Sequence, residues 1–225
     1  LDNDLKSEKE RVYDQLNLFR SLNAPCLVYG ETAGTIQNIR NAPLNSRRKL
    51  THEQFKPYGE KLTLFADWCE QEGMPISFHH HMGTVIETEK DVDLLMRNSS
   101  KNVKLLYDAG HMSFSGGNVL NIIDKHHERI SHVHAKDVRT PILDKLDRDN
   151  ESFLDAVLKG AFTVPGDGSL DFDIIIQKLH DKGYEGWFVV EAEQDPKLAP
   201  PYEYAIKGYK KLRQTLKDIG YTILD

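Results

Sequence analysis

Met74-Pro-Ile-Ser-Phe-His-His-His-Met-Gly83 is a short apolar run that ends in three consecutive histidines and a glycine. Such a run reads as a buried strand that delivers polar groups to its C-terminal end. Side chains alternate faces along a strand. Ile76, Phe78, His80 and Met82 therefore share one face, and Ser77, His79 and His81 share the other. The apolar face packs on helices, so His79 and His81 point together the opposite way.

Working outward, the same pattern recurs. Ala24–Gly30 is a buried strand with Glu31 just past its end. Val103–Asp108 ends in Asp-Ala-Gly-His-Met, Ile130–Asp137 reads Ile-Ser-His-Val-His-Ala-Lys-Asp, and Gly186–Ala192 carries Glu191 and is followed by Glu193. Helical patterns separate these strands. Residues 1–22 repeat apolar positions at helical spacing, and Thr51 with Gln54 forms a capping box for a helix with Phe55, Tyr58, Leu62, Phe65 and Cys69 on its buried stripe. Thr88 caps a shorter helix, Gly116-Gly117 leads into another, Asp171–Lys182 is a third, and Pro200-Pro201 opens a terminal one. Two stretches lack this pattern. Residues 32–50 are polar and contain Arg40, Arg47, Arg48 and Lys49, a run that reads as a solvated face. Residues 138–168 are long and charged, with a helical piece near Phe153–Leu158, and read as a lid or binding loop.

Alternating helices and strands predict a parallel sheet covered by helices. Five strands fall short of the eight that close an α/β barrel. The expected fold is therefore a (β/α)8 TIM barrel in one domain, 1–225, represented by its C-terminal five βα units. The abrupt helical start at Leu1 fits three further units at the N-terminal side. No Gly-rich dinucleotide loop follows any strand, which disfavours an open doubly wound sheet.

Composition narrows the function. Lys+Arg number 29 against 35 Asp+Glu, a formal charge of -6. That balance argues against a nucleic-acid binder, whose affinity rests on neutralising phosphates. No apolar stretch has the roughly 20 residues a membrane span needs. Cys26 and Cys69 fall on apolar faces and read as buried free thiols of a reducing compartment, with the cytoplasm as the expected location.

Polar groups at the C-terminal ends of barrel strands belong to the catalytic face. By alternation Glu31, His79, His81, Asp108, His132, His134, Lys136, Glu191 and Glu193 all fall on inward faces near those ends. Each has a plainer reading: a hydrogen-bonded core histidine, a cap for Asp108, an ion pair of Glu191 with Lys136. Together, His, Asp and Glu converging from separate strands are the donor set of a divalent-metal site. His111, one turn beyond Asp108, is a candidate substrate contact. His52, His126, His127 and His180 read as surface residues, Trp68 and Trp187 as core.

Five motifs carry a resemblance: His-His-His-Met-Gly-Thr84, Leu-Leu-Tyr-Asp-Ala-Gly-His111, His-Val-His-Ala-Lys-Asp-Val-Arg139, Phe-Thr-Val-Pro-Gly-Asp-Gly168 and Gly-Trp-Phe-Val-Val-Glu-Ala-Glu-Gln-Asp-Pro196. From about Leu22 onward the chain resembles the myo-inosose-2 (2-keto-myo-inositol) dehydratases, within the xylose-isomerase-like, endonuclease-IV-like TIM barrels. The resemblance implies a hydro-lyase of inositol catabolism acting on a small cyclic polyol ketone, with Mn2+ or Co2+ and a glutathione requirement. It also implies pairing into homo-oligomers, as barrels of this superfamily commonly do. Asp108, His134 and Glu191 match three of the four metal ligands of the superfamily. Its usual first Glu is replaced by His79 or His81, unless Glu31 supplies that ligand. The implied roles are Glu191 or Glu31 as base, His81 or His111 as acid, and Lys136 against the enolate oxygen. An epimerase or isomerase on the same metal is the alternative. A phosphodiesterase acting on abasic DNA fits the negative charge badly, and a sugar-binding barrel without catalysis would need no metal.

Overall fold

The computed structural model describes residues 4–224. α1 (Leu5–Ser21) opens them, its first turn capped by the Asp4 carboxylate, which accepts from the Ser7 amide. β1 (Leu27–Tyr29), α2 (His52–Gln71), β2 (Ile76–His79), α3 (Glu89–Arg97), β3 (Lys104–Asp108), α4 (Ala109–Phe114), α5 (Val119–His126) and β4 (Ile130–Ala135) follow. Then come β5 (Asp137–Val138), α6 (Thr140–Leu143), α7 (Phe153–Leu158), β6 (Phe162–Thr163), α8 (Phe172–Asp181), β7 (Phe188–Val190) and α9 (Pro201–Ile219).

The main sheet runs β1-β2-β3-β4-β7, and every neighbouring pair is parallel. Five parallel strands in chain order with helices between them make the arc of a TIM barrel, as the alternating pattern predicts. The predicted capping box at Thr51 and cap at Thr88 are both formed, the second also as a capping box with Asp91. Phe55, Tyr58, Leu62, Phe65 and Cys69 are buried along α2 and share a core with Ile76, Phe78, Leu105 and Ile176. Cys26 and Cys69 are free and buried, and burial pushes their thiols up to about 11 and about 12. Among the described residues, no helix is long and apolar enough to cross a membrane.

Three local expectations fail and one is refined. Residues 138–168, expected as a lid or binding loop with a helical piece near Phe153–Leu158, contain that piece as α7 and are more ordered than a loop. They fold into β5, β6 and two short helices around a second core of Leu44, Met82, Phe114, Val138, Leu143, Phe153, Ala156 and Phe162. The Asp137 carboxylate ties both ends of this excursion together by accepting from the amides of Val138, Gly168 and Leu170. Arg47 leaves the solvated run and is buried, paired with Glu87 at 3.1 Å and Asp91 at 2.9 Å. Trp187 is 61% exposed on β7's leading edge rather than in the core. His126 is largely buried against Asp93 at 2.7 Å. Periodicity does not assign the burial of Arg47 or His126, because each depends on an ion-pair partner distant in sequence.

Candidate active site

Strand register explains why the polar side chains meet. His79 lies opposite Leu106, Asp108 opposite His134, and His134 opposite Val189. Residues two apart on a strand share a face. His79, Asp108, His134 and Glu191 therefore project the same way from four neighbouring strands, at the C-terminal end where the strands' apolar runs stop. His79 Nε2 is 3.3 Å from Asp108 Oδ2, His134 Nδ1 is 3.5 Å from the same oxygen, and His134 Nδ1 is 3.3 Å from Glu191 Oε2. His80, on the opposite face, is buried, and its Nε2 accepts the Asp108 amide.

Asp108 satisfies both readings of its sequence. Its Oδ1 caps α4 by accepting the His111 amide at 2.8 Å, while Oδ2 faces the histidines. The cap in turn places His111 one turn on, and Gly110 lets that helix approach β4. A Cβ on Gly110 would lie 2.6 Å from the Lys136 side chain. Gly83, at φ +79, turns the chain so that Met82 N–H reaches His111 Nδ1 at 3.4 Å.

Lys136 is buried at the centre. Its ammonium is 2.7 Å from Glu191, 2.9 Å from Glu193 and 3.6 Å from Asp108. It also lies 2.9 Å from His111 Nε2 and sits over the Phe162 ring at 5.0 Å. Burial disfavours that charge, but the carboxylates Asp108, Glu193 and Glu191 outweigh it and raise the lysine above its ordinary value. Asp108 lies well below its usual range because Lys136 and His111 overcome its burial. Burial likewise works against Glu193, yet His81 and Lys136 bring it down to about 2. His134 is the exception among the histidines. Burial lowers its siblings His79, His80, His111 and His132, whereas Asp108 and Glu191 overcome burial at His134 and carry it up to about 9.

The donor set fits a divalent cation. Asp108, His134 and Glu191 each offer an atom within 4.8 Å of the others, as do His79, Asp108 and His111. His134 Nδ1 and Glu191 Oε2 are buried 3.3 Å apart, and their contacts with Asp108 and Lys136 are ion pairs without aligned hydrogen-bond geometry. Buried polar atoms are rarely left so, and an N,O donor group of this kind suits Mn, Co, Zn or Mg.

The structure thus brings together His79, His81, Asp108, His111, His134, Lys136 and Glu191. It does not bring Glu31 to them: that carboxylate packs against Tyr58 on α2, and burial raises its pKa. His132 sits deeper, its Nδ1 3.9 Å from Cys26 Sγ. Glu193 is more central than its sequence suggests, touching His81, His111 and Lys136. Its spacing of two from Glu191 is the signal for it. Phe153 and Phe162 are the unforeseen members. Their rings lie 5.4 Å from His81 and 5.1 Å from His111, and only the folding of the 138–168 excursion puts them there.

Comparison with known proteins agrees with the fold. The family model described as "Xylose isomerase-like TIM barrel" matches residues 2–219. The chain is 43% identical over 223 residues to the rhizopine catabolism protein MocC of Rhizobium meliloti, covering 99% of this chain and 68% of that protein. It is 44% identical over 196 residues to the inosose dehydratase of Geobacillus thermodenitrificans, covering 86% and 66%. The chain spans about two thirds of the length of these relatives. A crystal structure of the IolI protein with a bound zinc atom superposes with a TM-score of 0.64 at 18% identity, covering 97% of this chain and 72% of that one, which shows a shared fold. The chain belongs to the xylose isomerase-like TIM barrel family, in the branch of the inosose dehydratases, a group of hydro-lyases.

Proposed function

We propose that the protein dehydrates 2-keto-myo-inositol (scyllo-inosose) to a trihydroxycyclohexane-dione in inositol catabolism, with Mn2+ or Co2+ as cofactor. The observation that carries this reading is the convergence of Asp108, His134 and Glu191, whose donor atoms lie within 4.8 Å of one another. The inosose dehydratases at 40–44% identity supply the substrate class.

His79, Asp108, His134 and Glu191 would hold the cation. A divalent ion there supplies Lewis acidity toward a ketone oxygen and a neighbouring hydroxyl, which acidifies the proton between them. Glu191 is 32% exposed and faces the mouth, so it is the carboxylate placed to take that proton. The Lys136 ammonium, fixed by three carboxylates, offsets negative charge that develops on the substrate oxygen. His81 and His111 stand on the other side of Lys136 as donors to the departing hydroxyl. The packed wall of Phe114, Phe153 and Phe162 keeps bulk water from His111. Glu31, outside the cluster, has no part in this reading.

The test is to incubate the purified protein with 2-keto-myo-inositol and each metal in turn, with and without glutathione, and follow the ultraviolet absorbance of the diketone. Turnover that appears with Mn2+ or Co2+ and disappears with chelator supports the reading. An isomerised polyol ketone without diketone replaces it with epimerisation on the same residues, and metal-independent binding without turnover replaces it with a sugar-binding role.

A further inference from the structure

The polar cluster divides into two halves that share Lys136. One is His79, Asp108, His134 and Glu191, just described. The other is His81, His111 and Glu193, whose donor atoms also lie within 4.8 Å of one another. In this second half the two histidines stack closely, with ring centroids 3.8 Å apart, yet they are held in different ways.

Both nitrogens of His111 are engaged. Nδ1 accepts the Met82 amide at 3.4 Å, and Nε2 lies 2.9 Å from the Lys136 ammonium and 3.4 Å from Glu193. Its side chain is 1% exposed and enclosed by Phe153 and Phe162. His81 is 18% exposed at the mouth. Its Nδ1 is 2.8 Å from the Met82 carbonyl oxygen. A carbonyl can only accept, so Nδ1 carries a hydrogen and donates it. That leaves Nε2 as the working edge, and Nε2 faces Glu193 Oε1 at 3.6 Å. The other oxygen of Glu193 accepts from Lys136 at 2.9 Å. One carboxylate thus spans the mouth-facing histidine and the central ammonium.

We propose that Glu193 is a positioning residue for the second half of the reaction, aligning His81 Nε2 so that His81, rather than His111, protonates the hydroxyl that leaves. The proposal rests on the dehydration reading above. In this step the electron pair left by proton removal forms the new carbon–carbon double bond. The bond from the adjacent carbon to oxygen breaks with its pair on oxygen, and the proton on His81 Nε2 moves to that oxygen, which departs as water. His81 enters the step as the imidazolium, keeps its Nδ1 hydrogen and ends neutral. In this step Glu193 acts through His81 and Lys136.

Proton removal and hydroxide departure can be read separately. The protein and its variants Glu193→Gln and Glu193→Ala are incubated with 2-keto-myo-inositol and Mn2+ in deuterium oxide. Loss of the substrate α-proton signal by NMR reports the first step, diketone absorbance the second, and elemental analysis the bound metal. In E193A, metal content and KM should stay within about threefold of the parent and α-proton exchange should fall less than about tenfold, because Lys136 keeps Asp108 and Glu191, while kcat for diketone falls about 10²–10³-fold, the range for loss of a positioned general acid. E193Q, whose carbonyl still accepts from Lys136, should recover about tenfold of that loss. His81→Gln should lose elimination as E193A does. Elimination at parental rate in both Glu193 variants overturns the proposal. Loss of exchange and metal together in the near-isosteric E193Q also overturns it, because Glu193 would then belong to the first half. A parent protein that neither exchanges nor eliminates defeats the dehydration reading itself, and this inference with it.

Discussion

Two buried charge clusters in this protein differ in how completely they are satisfied. Around Arg47 every group has its partner. The guanidinium reaches Glu87, Asp91 and the carbonyl of Thr84, while Glu87 accepts the Gly83 amide and Asp91 the Thr88 amide. Around Lys136 one ammonium is shared among Asp108, Glu191 and Glu193, and His134 Nδ1 lies between two of those carboxylates, at 3.5 Å from Asp108 and 3.3 Å from Glu191. The first cluster pins the loop before α2 to the turn after β2 and has no donor to spare. The second keeps lone pairs aimed at a common point. Burial alone does not separate the two clusters; what differs is that in the second one ammonium serves three carboxylates.

The difference is open to attack, most strongly at Glu191. Glu191→Gln removes a donor from the second cluster, and turnover should fall about 10³-fold or more with loss of bound metal. Thermal stability should change by less than about 1 kcal/mol, because the side chain is at the rim. A variant with full metal content and full turnover would remove Glu191 from both of its roles.

Arg47→Met should reverse that profile. It strands two buried carboxylates, and breaking such a pair costs about 3–5 kcal/mol. In a chain of this size the thermal midpoint should drop by about 10 °C, with kcat per folded molecule retained. An unshifted midpoint would show that the saturated cluster is dispensable and would erase the contrast.

Metal should favour only the second cluster. Adding Mn2+ at about 100 times its dissociation constant should raise stability by about 2.7 kcal/mol by mass action, and chelator should remove the gain. The increment should survive in R47M and vanish in Asp108→Asn. Equal stabilisation of D108N would move the ion elsewhere.

The smallest effect concerns a part-buried pair of acids. Asp93 and Glu89 meet His126 and the exposed Lys125 between α3 and α5. Burial opposes ionisation of Asp93, but His126 and Lys125 outweigh it and lower its pKa in the folded protein. Its contribution is therefore present above the ordinary carboxyl value near ~3.9 and is lost as pH falls through the lower folded value. Pairs of this kind that reach solvent give about 1 kcal/mol or less. Asp93→Asn should be slightly destabilising in urea at pH 7 and indistinguishable from the parent at pH 2. A difference that grows toward acid would reverse the assigned sign.

The site was readable from sequence as far as alternation carries. Asp108, His134 and Glu191 announce themselves as polar residues at the ends of apolar runs, and His79 and His81 fall together because they are two apart. Alternation fails where the strand has ended. Glu31 and Glu193 both lie past their strands, yet one turns toward α2 and the other enters the cluster. Only packing separates them. Arg47 looks like any other loop arginine until Glu87 and Asp91, some forty positions on, fold over it. The 138–168 stretch offered one helical fragment and no account of Phe162, whose place depends on an antiparallel pairing across the excursion.

The amino-acid order by itself determined the layered βα arrangement, the parallel sheet and the residue types at its C-terminal rim, because strand and helix periods are local properties of the chain. Tertiary structure alone decided which of those rim groups meet. Sheet register sets Asp108 beside His134 and brings Lys136 between three acids, and the aromatic wall from a distant excursion closes over His111. Those are long-range placements, fixed by burial and charge pairing between segments that no short window of sequence contains.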